Sequence, residues 1–206
     1  MKKLIILLIS ITLSSESFSQ IRFYSNAKCG YKDAITGKVI IEPIYDAGSD
    51  FTDGIAIVIK NSKRGYINSK GKIVIDLLYD DASTFKNGLA FVSIKGKYGF
   101  IDKTGKVIIQ FNFEFVSDFS ESVALVKRDG KFGFINFSGE EIIKCEFDAA
   151  NTFNEGLASV MKNNKWGFIN KKSEVVLDFT YDYAGLFINE KAVVSKQNKK
   201  FYIDKS

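Results

Sequence analysis

The segment Lys165-Trp166-Gly167-Phe168-Ile169-Asn170 decides how this chain folds, because its pattern returns every 34 residues. The related segments are Arg64-Gly65-Tyr66-Ile67-Asn68, Tyr98-Gly99-Phe100-Ile101-Asp102, Phe132-Gly133-Phe134-Ile135-Asn136 and the degenerate Lys200-Phe201-Tyr202-Ile203-Asp204. A period of this length is typical of repeat architectures, in which each unit is too small to bury its own apolar face and stacks on its neighbours. The sequence therefore predicts a tandem array of similar units.

Three further columns of identical residues follow the same period. Each unit opens with a phenylalanine, has an alanine five residues later, and has a valine two residues after that. The columns are Phe51, Phe85, Phe119, Phe153 and Phe187; Ala56, Ala90, Ala124, Ala158 and Ala192; and Val58, Val92, Val126, Val160 and Val194. Residues two apart share one face of a strand. An alanine kept in all five copies predicts a packed position with no room for a larger side chain.

The segments between these columns have the chemistry of tight turns. Residue pairs that tolerate positive φ, such as Asp129-Gly130 and Asn163-Asn164, separate the first and second strands and favour type I′ hairpins. After the second strand, the pattern Asn68-x-x-Gly71 favours a type I turn closed by a left-handed residue. No segment longer than a turn has helical periodicity. Each unit is therefore predicted to be a three-stranded antiparallel meander.

The predicted fold class is all-β, with tandem 34-residue meanders forming an open, solenoid-like array. A closed, propeller-like ring is the alternative. Residues 20–50 form an atypical N-terminal partial repeat, 51–186 form four complete repeats, and 187–206 form a truncated last repeat. In an open array Cys29 and Cys145 are too far apart for a disulfide, so we expect two free thiols.

A glycine lies inside the second strand of four units. Glycine weakens a strand, so its recurrence at Gly65, Gly99, Gly133 and Gly167 indicates that something bulky lies against that part of the backbone. We expect this to be an aromatic ring of the neighbouring unit, namely the phenylalanine that opens it. The aromatic residue after each glycine lies on the opposite face of the strand.

The N-terminal residues 1–19 read as a secretory signal. Lys2 and Lys3 precede an apolar run from Leu4 to Leu13, and Ser17-Phe18-Ser19 is a small-x-small cleavage site. The run is too short for a stable membrane span. We therefore expect an exported product without a transmembrane segment, located in the periplasm, at the cell surface or outside the cell. An uncleaved anchor or a buried strand is the alternative.

The recurring blocks are similar to those of the WG repeat family, also written KWG, of bacterial proteins. They are Gly156-Leu157-Ala158-x-Val160, Lys165-Trp166-Gly167-Phe168-Ile169-Asn170 and Val39-Ile40-x-x-Pro43-x-Tyr45-Asp46. The likeness covers about residues 29–204. Only one repeat has the tryptophan, only one has the proline, and Phe201 replaces the last glycine. The resemblance implies repeat modules with no shared catalytic residues.

The motifs of common enzyme classes do not occur in this chain. It has no G-x-S-x-G elbow, no Gly-Lys-Ser/Thr phosphate loop and no histidine. One acid follows the third strand of each unit, at Asp46, Asp80, Glu114, Asp148 and Asp182. This even spacing favours a turn or cap over catalysis. We therefore predict no catalytic residue, no metal ligand and no cofactor, with a cell-envelope hydrolase that uses a carboxylate pair as the alternative.

The first hairpin tips, taken as 59–64 and its four equivalents, hold thirteen lysines and arginines and one acid, Asp129. Successive tips lie along one edge of a repeat array, so a nearly one-signed basic ridge is expected. The candidate ligand-binding residues are Lys63, Lys95, Lys97, Tyr98, Arg128, Lys131, Phe132, Lys162, Lys165 and Trp166. The opposite connections are expected to carry acids, namely Asp50, Asp53, Asp80, Asp81, Asp118 and Glu121.

The basic ridge has two interpretations. Lysines at exposed tips keep a repeat protein soluble and block edge pairing. The other interpretation is a non-catalytic binding or scaffolding module that recognises an anionic glycan, an envelope polymer or an acidic protein. Nucleic acid suits the charge but is a poor partner for an exported protein. A structural spacer without a ligand is a third alternative.

Overall fold

The structure, a computed structural model, describes residues 20–205. The strands of this part of the chain form six separate antiparallel sheets, and no helix occurs in it. The all-β prediction is therefore confirmed. The predicted signal segment and its cleavage site lie outside the described residues. Among the described residues no helix is long and apolar enough to cross a membrane.

The four internal sheets share one plan, in which a two-residue strand precedes the predicted meander. Sheet 2 contains β4 (Ala47–Gly48), β5 (Ile55–Lys60), β6 (Lys63–Asn68) and β7 (Ile73–Tyr79). Sheet 3 contains β8 (Asp81–Ala82), β9 (Leu89–Ile94), β10 (Lys97–Asp102) and β11 (Val107–Phe113). Sheet 4 contains β12 (Phe115–Val116), β13 (Ala124–Arg128), β14 (Lys131–Ile135) and β15 (Glu141–Phe147). Sheet 5 contains β16 (Ala149–Ala150), β17 (Leu157–Lys162), β18 (Lys165–Asn170) and β19 (Val175–Tyr181).

The two terminal sheets have three strands each. Sheet 1 contains β1 (Gln20–Ser25), β2 (Lys28–Asp33) and β3 (Val39–Tyr45). Sheet 6 contains β20 (Tyr183–Ile188), β21 (Lys191–Lys196) and β22 (Lys199–Asp204), and it stops before a third meander strand. Within the described part of the chain, no strand of sheet 1 pairs with sheet 6. The strands therefore form an open array rather than a ring closed by hydrogen bonds.

The turns have the predicted backbone conformations. Both residues of the first hairpin turn have positive φ, for example 53° at Asn163 and 61° at Asn164, as a type I′ turn requires. Gly139 closes the second turn with φ 84°. The loop before the first strand contains another turn that the sequence analysis missed. There, Asp53 and Gly54 have φ of 50° and 74°, and Thr52 and Ile55 exchange two backbone hydrogen bonds around them.

The core lies between successive sheets, not within any one of them. At the interface of sheets 4 and 5, Phe134 and Ile143 pack against Phe153, Ala158 and Val160. The ring of each opening phenylalanine lies 4.7–5.0 Å from the ring that follows the glycine position of the preceding unit. Burying one such ring stabilises the fold by about 2 kcal/mol. Every member of the alanine and valine columns is buried, as predicted.

The predicted reason for the glycine column, an aromatic ring of the neighbouring unit, was wrong. A Cβ on Gly133 would lie 2.7 Å from the carbonyl oxygen of Ile143 and 2.7 Å from the amide nitrogen of Cys145. These atoms belong to β15, the third meander strand of the same sheet, whose register shifts beside the glycine. The glycine therefore makes room for a bulge in its own sheet. The neighbouring phenylalanine packs instead on the aromatic residue that follows the glycine.

The two cysteines are free, as predicted, with Cys29 buried and Cys145 half-buried. They belong to different inter-sheet cores. Burial raises the pKa of both thiols above the usual cysteine range. Neither thiol is therefore activated as a nucleophile.

Candidate functional site

The lysine column and the acid column lie on the same edge of the molecule, which we call the tip edge. The third strand runs antiparallel to the second, so its last residue pairs with the second residue of the second strand, as in Arg64 opposite Tyr79. The acid that follows the third strand thus comes beside the lysine that begins the second. The ion pairs are Lys28–Asp46, Lys63–Asp80, Lys97–Glu114 at 3.7 Å, Lys131–Asp148 at 2.5 Å and Lys165–Asp182 at 2.5 Å.

Each acid of the column also holds the hairpin of the next unit. The backbone N–H of Asn163 donates to Oδ2 of Asp148 over 3.0 Å, while Oδ1 of the same carboxylate accepts from Lys131. The other four acids receive the corresponding bonds from the backbone N–H groups of Asn61, Lys95, Gly130 and Gln197. The turn-and-cap interpretation of the acid column is therefore confirmed, and the cap joins two units.

The electrostatic environment of these acids favours their charged form. Hydrogen bonding from Lys131 is the main cause that holds the pKa of Asp148 below its usual range, and Coulomb attraction to the same lysine adds to it. Lys63 lowers the pKa of Asp80 and Lys165 that of Asp182 in the same way. The lysine–acid–hairpin arrangement is thus an ionised contact that recurs from one sheet to the next.

The prediction of a nearly one-signed ridge was wrong, because the acid column neutralises much of it. Asp80 and Asp81, which we had placed on the opposite edge, lie on the tip edge and face Lys63 and Arg64. Arg128 and Lys162 are paired as well, with Glu141 and Glu146. Among the described residues, six tip lysines have no carboxylate oxygen within 4.0 Å, namely Lys60, Lys95, Lys127, Lys196, Lys199 and Lys200.

The three candidate aromatic residues are half-buried between sheets and do not stand free on the rim. The Tyr98 hydroxyl lies 3.3 Å from a carboxylate oxygen of Asp81, to which it donates. The Phe132 ring lies beside Phe115 and carries the Lys127 ammonium 5.3 Å from its centroid. Trp166 packs against the core between sheets 5 and 6. Each ring is therefore only partly accessible to a ligand on the tip edge.

The opposite edge, which we call the turn edge, carries a second row of ion pairs that the sequence analysis missed. An acid in the positive-φ turn before the first strand meets a lysine fifty residues later. The pairs are Lys103–Asp53 at 3.2 Å, Lys171–Glu121 at 3.0 Å and Lys205–Glu155 at 3.0 Å. The acids and the lysines each lie in one column of the repeat. A lysine fifty residues after an acid was therefore the sequence signal from which these ion pairs could have been predicted.

The turn-edge acids also cap the next unit. Glu155 accepts the backbone N–H groups of Asn189 over 2.7 Å and Glu190 over 2.9 Å. Hydrogen bonding from Lys205, followed by these amide bonds, lowers the pKa of Glu155. On both edges of the array, carboxylates therefore link one sheet to the next. Within residues 20–205, no group of three or more histidine, cysteine or acidic side chains is arranged to hold a metal ion.

The family profile described as the WG containing repeat matches five consecutive segments: 30–63, 65–98, 98–132, 132–166 and 166–200. The chain belongs to the WG repeat family. The WG repeat protein has no match in sequence among curated proteins. The family profile thus covers the five inter-sheet interfaces and ends in the truncated unit.

Two solved structures illustrate the fold of the WG repeat protein. Hsv2 of Kluyveromyces lactis is 10% identical over 92% of this chain and 72% of its own, with a TM-score of 0.51. A eukaryotic initiation factor is 11% identical over 91% of this chain and 60% of its own, with a TM-score of 0.55. These likenesses concern the fold alone and show a propeller-like stacking of small sheets.

Proposed function

We propose that the WG repeat protein is a non-catalytic, exported binding or scaffolding module that recognises an acidic glycan along its tip edge. The observation that carries the proposal is the set of six tip lysines that have no carboxylate partner within residues 20–205. They lie along the tip edge, with one in each of sheets 2, 3 and 4 and three in sheet 6. Stacked sheets lie about 10 Å apart, so cations spread over four sheets suit a polymer with several anionic groups better than one small anion.

The ion pairs divide the tip lysines into two roles. Lys63, Lys97, Lys131 and Lys165 hold acids that cap the next hairpin, so their charge serves the stacking of sheets. Lys95, Lys199 and Lys200 are exposed and are available to a ligand. The hydrolase alternative draws no support from the acid column, because each of its members is engaged by a lysine ammonium and a backbone amide.

The test is the binding of labelled heparin and labelled polyglutamate at low and high salt. The tip variant is Lys95→Glu/Lys199→Glu/Lys200→Glu. The matched control, Lys72→Glu/Lys106→Glu/Lys172→Glu, makes the same change in net charge with exposed lysines of the turn edge. We expect the tip variant to bind heparin at least about tenfold more weakly and the control less than about threefold, with affinity falling as salt rises.

Equal weakening by both variants would show that only net charge matters and would overturn the tip-edge site. Absence of binding to either polyanion at low salt would overturn an anionic partner altogether. Tighter binding of polyglutamate than of heparin would contradict the glycan and point to an acidic protein face. Circular dichroism of each variant confirms that the fold is retained.

A further inference from the structure

The row of ion pairs on the turn edge is interrupted at one place. The pairs Lys103–Asp53 and Lys171–Glu121 place a lysine against the acid fifty residues earlier. At the intervening position the same step joins Phe137 to Asn87, so both charged partners are replaced. An open groove of about 520 Å³ lies there, between sheets 3 and 4. This volume falls in the usual range of small-molecule sites.

The groove has an aromatic platform that is held in place. Phe137 stacks on Phe119 with ring centroids 4.2 Å apart and an interplanar angle of 23°. Phe119 is itself buried in the core between sheets 3 and 4, while Phe137 is 36% exposed. Leu89 and Ile108 complete the apolar part of the lining. The exposed ring therefore has little freedom to turn away from the groove.

Three polar side chains line the same groove. Asn87 and Ser122 lie in left-handed turn positions, with φ of 51° and 72°, and neither side chain has a hydrogen-bond partner among the described residues. Oδ1 of Asp102 accepts the hydroxyl and amide of Thr104 and the amide of Lys106, whereas Oδ2 has no hydrogen-bond donor among the described residues. The groove thus offers an amide, a hydroxyl and a carboxylate oxygen around one ring.

We propose that this groove binds a neutral saccharide, with the apolar face of a sugar ring on Phe137 and its hydroxyls bonded to Asn87, Asp102 and Ser122. A sugar hydroxyl both donates and accepts, so it satisfies an amide, a carboxylate and a hydroxyl alike. An anionic ligand is disfavoured by Asp102, and a wholly apolar ligand leaves the polar atoms unpaired. The groove lies on the edge opposite the tip lysines and does not depend on them.

The experiment is an NMR titration of the full chain with three probes: maltohexaose, cellohexaose and chitohexaose. The side-chain amide signal of Asn87 and the ring signals of Phe137 report on the groove directly. We expect saturable shifts of these signals with at least one probe, at a dissociation constant of about 1 mM or tighter. Phe115→Ala, which removes another exposed ring, serves as the matched control and is expected to leave the titration unchanged.

Two variants test the site without disturbing the repeat. Asn87→Glu/Phe137→Lys rebuilds the ion pair found at Lys171 and Glu121, so it is expected to fold and to bind at least about tenfold more weakly. Asn87→Gly removes the carboxamide where positive φ suits glycine, and it is expected to weaken binding by a similar factor. The proposal fails if no probe shifts these signals at about 20 mM, or if the rebuilt pair binds as the wild type does.

Discussion

The internal sheets and the last sheet differ in one strand, and that difference explains two columns of the repeat. In sheets 2–5 the second meander strand has a neighbour on each side, and it contains a glycine. In sheet 6 the equivalent strand, β22, is an edge strand, and Phe201 stands in the place of the glycine. The bulge of the third strand therefore requires the glycine. In sheet 6, which lacks a third meander strand, a larger residue is tolerated at this position.

The ring that follows the glycine shows the same contrast for stacking between sheets. Phe168 is fully buried because Phe187 of the next unit packs on it at 4.9 Å. Tyr202 occupies the same column in sheet 6 and is 70% exposed, because no other sheet of the described residues packs on it. A residue of this column is thus a core residue only because another unit follows.

In this comparison, the largest effect on the free energy of unfolding is expected when an aromatic ring between two sheets is removed. Phe153→Ala removes a fully buried side chain that packs on Phe134 at 4.7 Å, so it should lower the free energy of unfolding by about 3–5 kcal/mol. Tyr202→Ala changes an exposed ring and should alter the free energy of unfolding by less than about 0.5 kcal/mol. Urea unfolding of the two variants makes the measurement. Similar losses for both would contradict an interface-based core.

A smaller effect is expected at the glycine column. Gly133→Ala places a Cβ against the backbone of β15, which must shift, and should cost about 1–3 kcal/mol in the free energy of unfolding. Phe201→Ala, at the same position of the edge strand, should cost less than about 1 kcal/mol because the side chain is exposed. If Gly133→Ala were as stable as the wild type, the bulge would not be the reason for the glycine.

The smallest effect is expected at the tip-edge caps and depends on pH. The pKa of Asp148 is lowered in the fold from 3.8, so its contribution is present above that value and is lost as pH falls through the folded pKa. Asp148→Asn should lower the melting temperature at neutral pH, and the difference from wild type should vanish in strong acid. Melting curves from pH 7 to about pH 2 provide the measurement.

The control for this pH effect lies in the last sheet. Asp204 is exposed, and its Oδ1 lies 3.9 Å from Nζ of Lys191. Its carboxylate caps no hairpin in the described part of the chain. Asp204→Asn should leave the melting temperature at neutral pH unchanged. An equal effect of both substitutions would show that net charge, and not the cap, sets the acid sensitivity.

Residues with local or recurring roles were predictable. The turn at Asn163 and Asn164 was predictable because asparagine tolerates positive φ. Ala158 and Val160 were predictable as core residues because each recurs at the period of the repeat. Gly133 was recognised as a place of close approach, but its neighbour was not. The contact comes from a register shift in β15, and a bulge in one strand leaves no mark on the residue types of another.

The all-β fold, the repeat length and the turn types follow from the amino-acid sequence alone, because backbone preferences and packing columns act over a few residues. The arrangement of the charges, in contrast, depends on how the strands are placed in space. Lys131 and Asp148 are seventeen residues apart, and the return of the third strand brings them to the same edge, where each helps to hold the next sheet. Likewise, the groove at Phe137 exists because the stacking of sheets 3 and 4 places this ring where the neighbouring units have an ion pair. Charge partners depend on which strand ends meet in space, and that is set by the antiparallel topology.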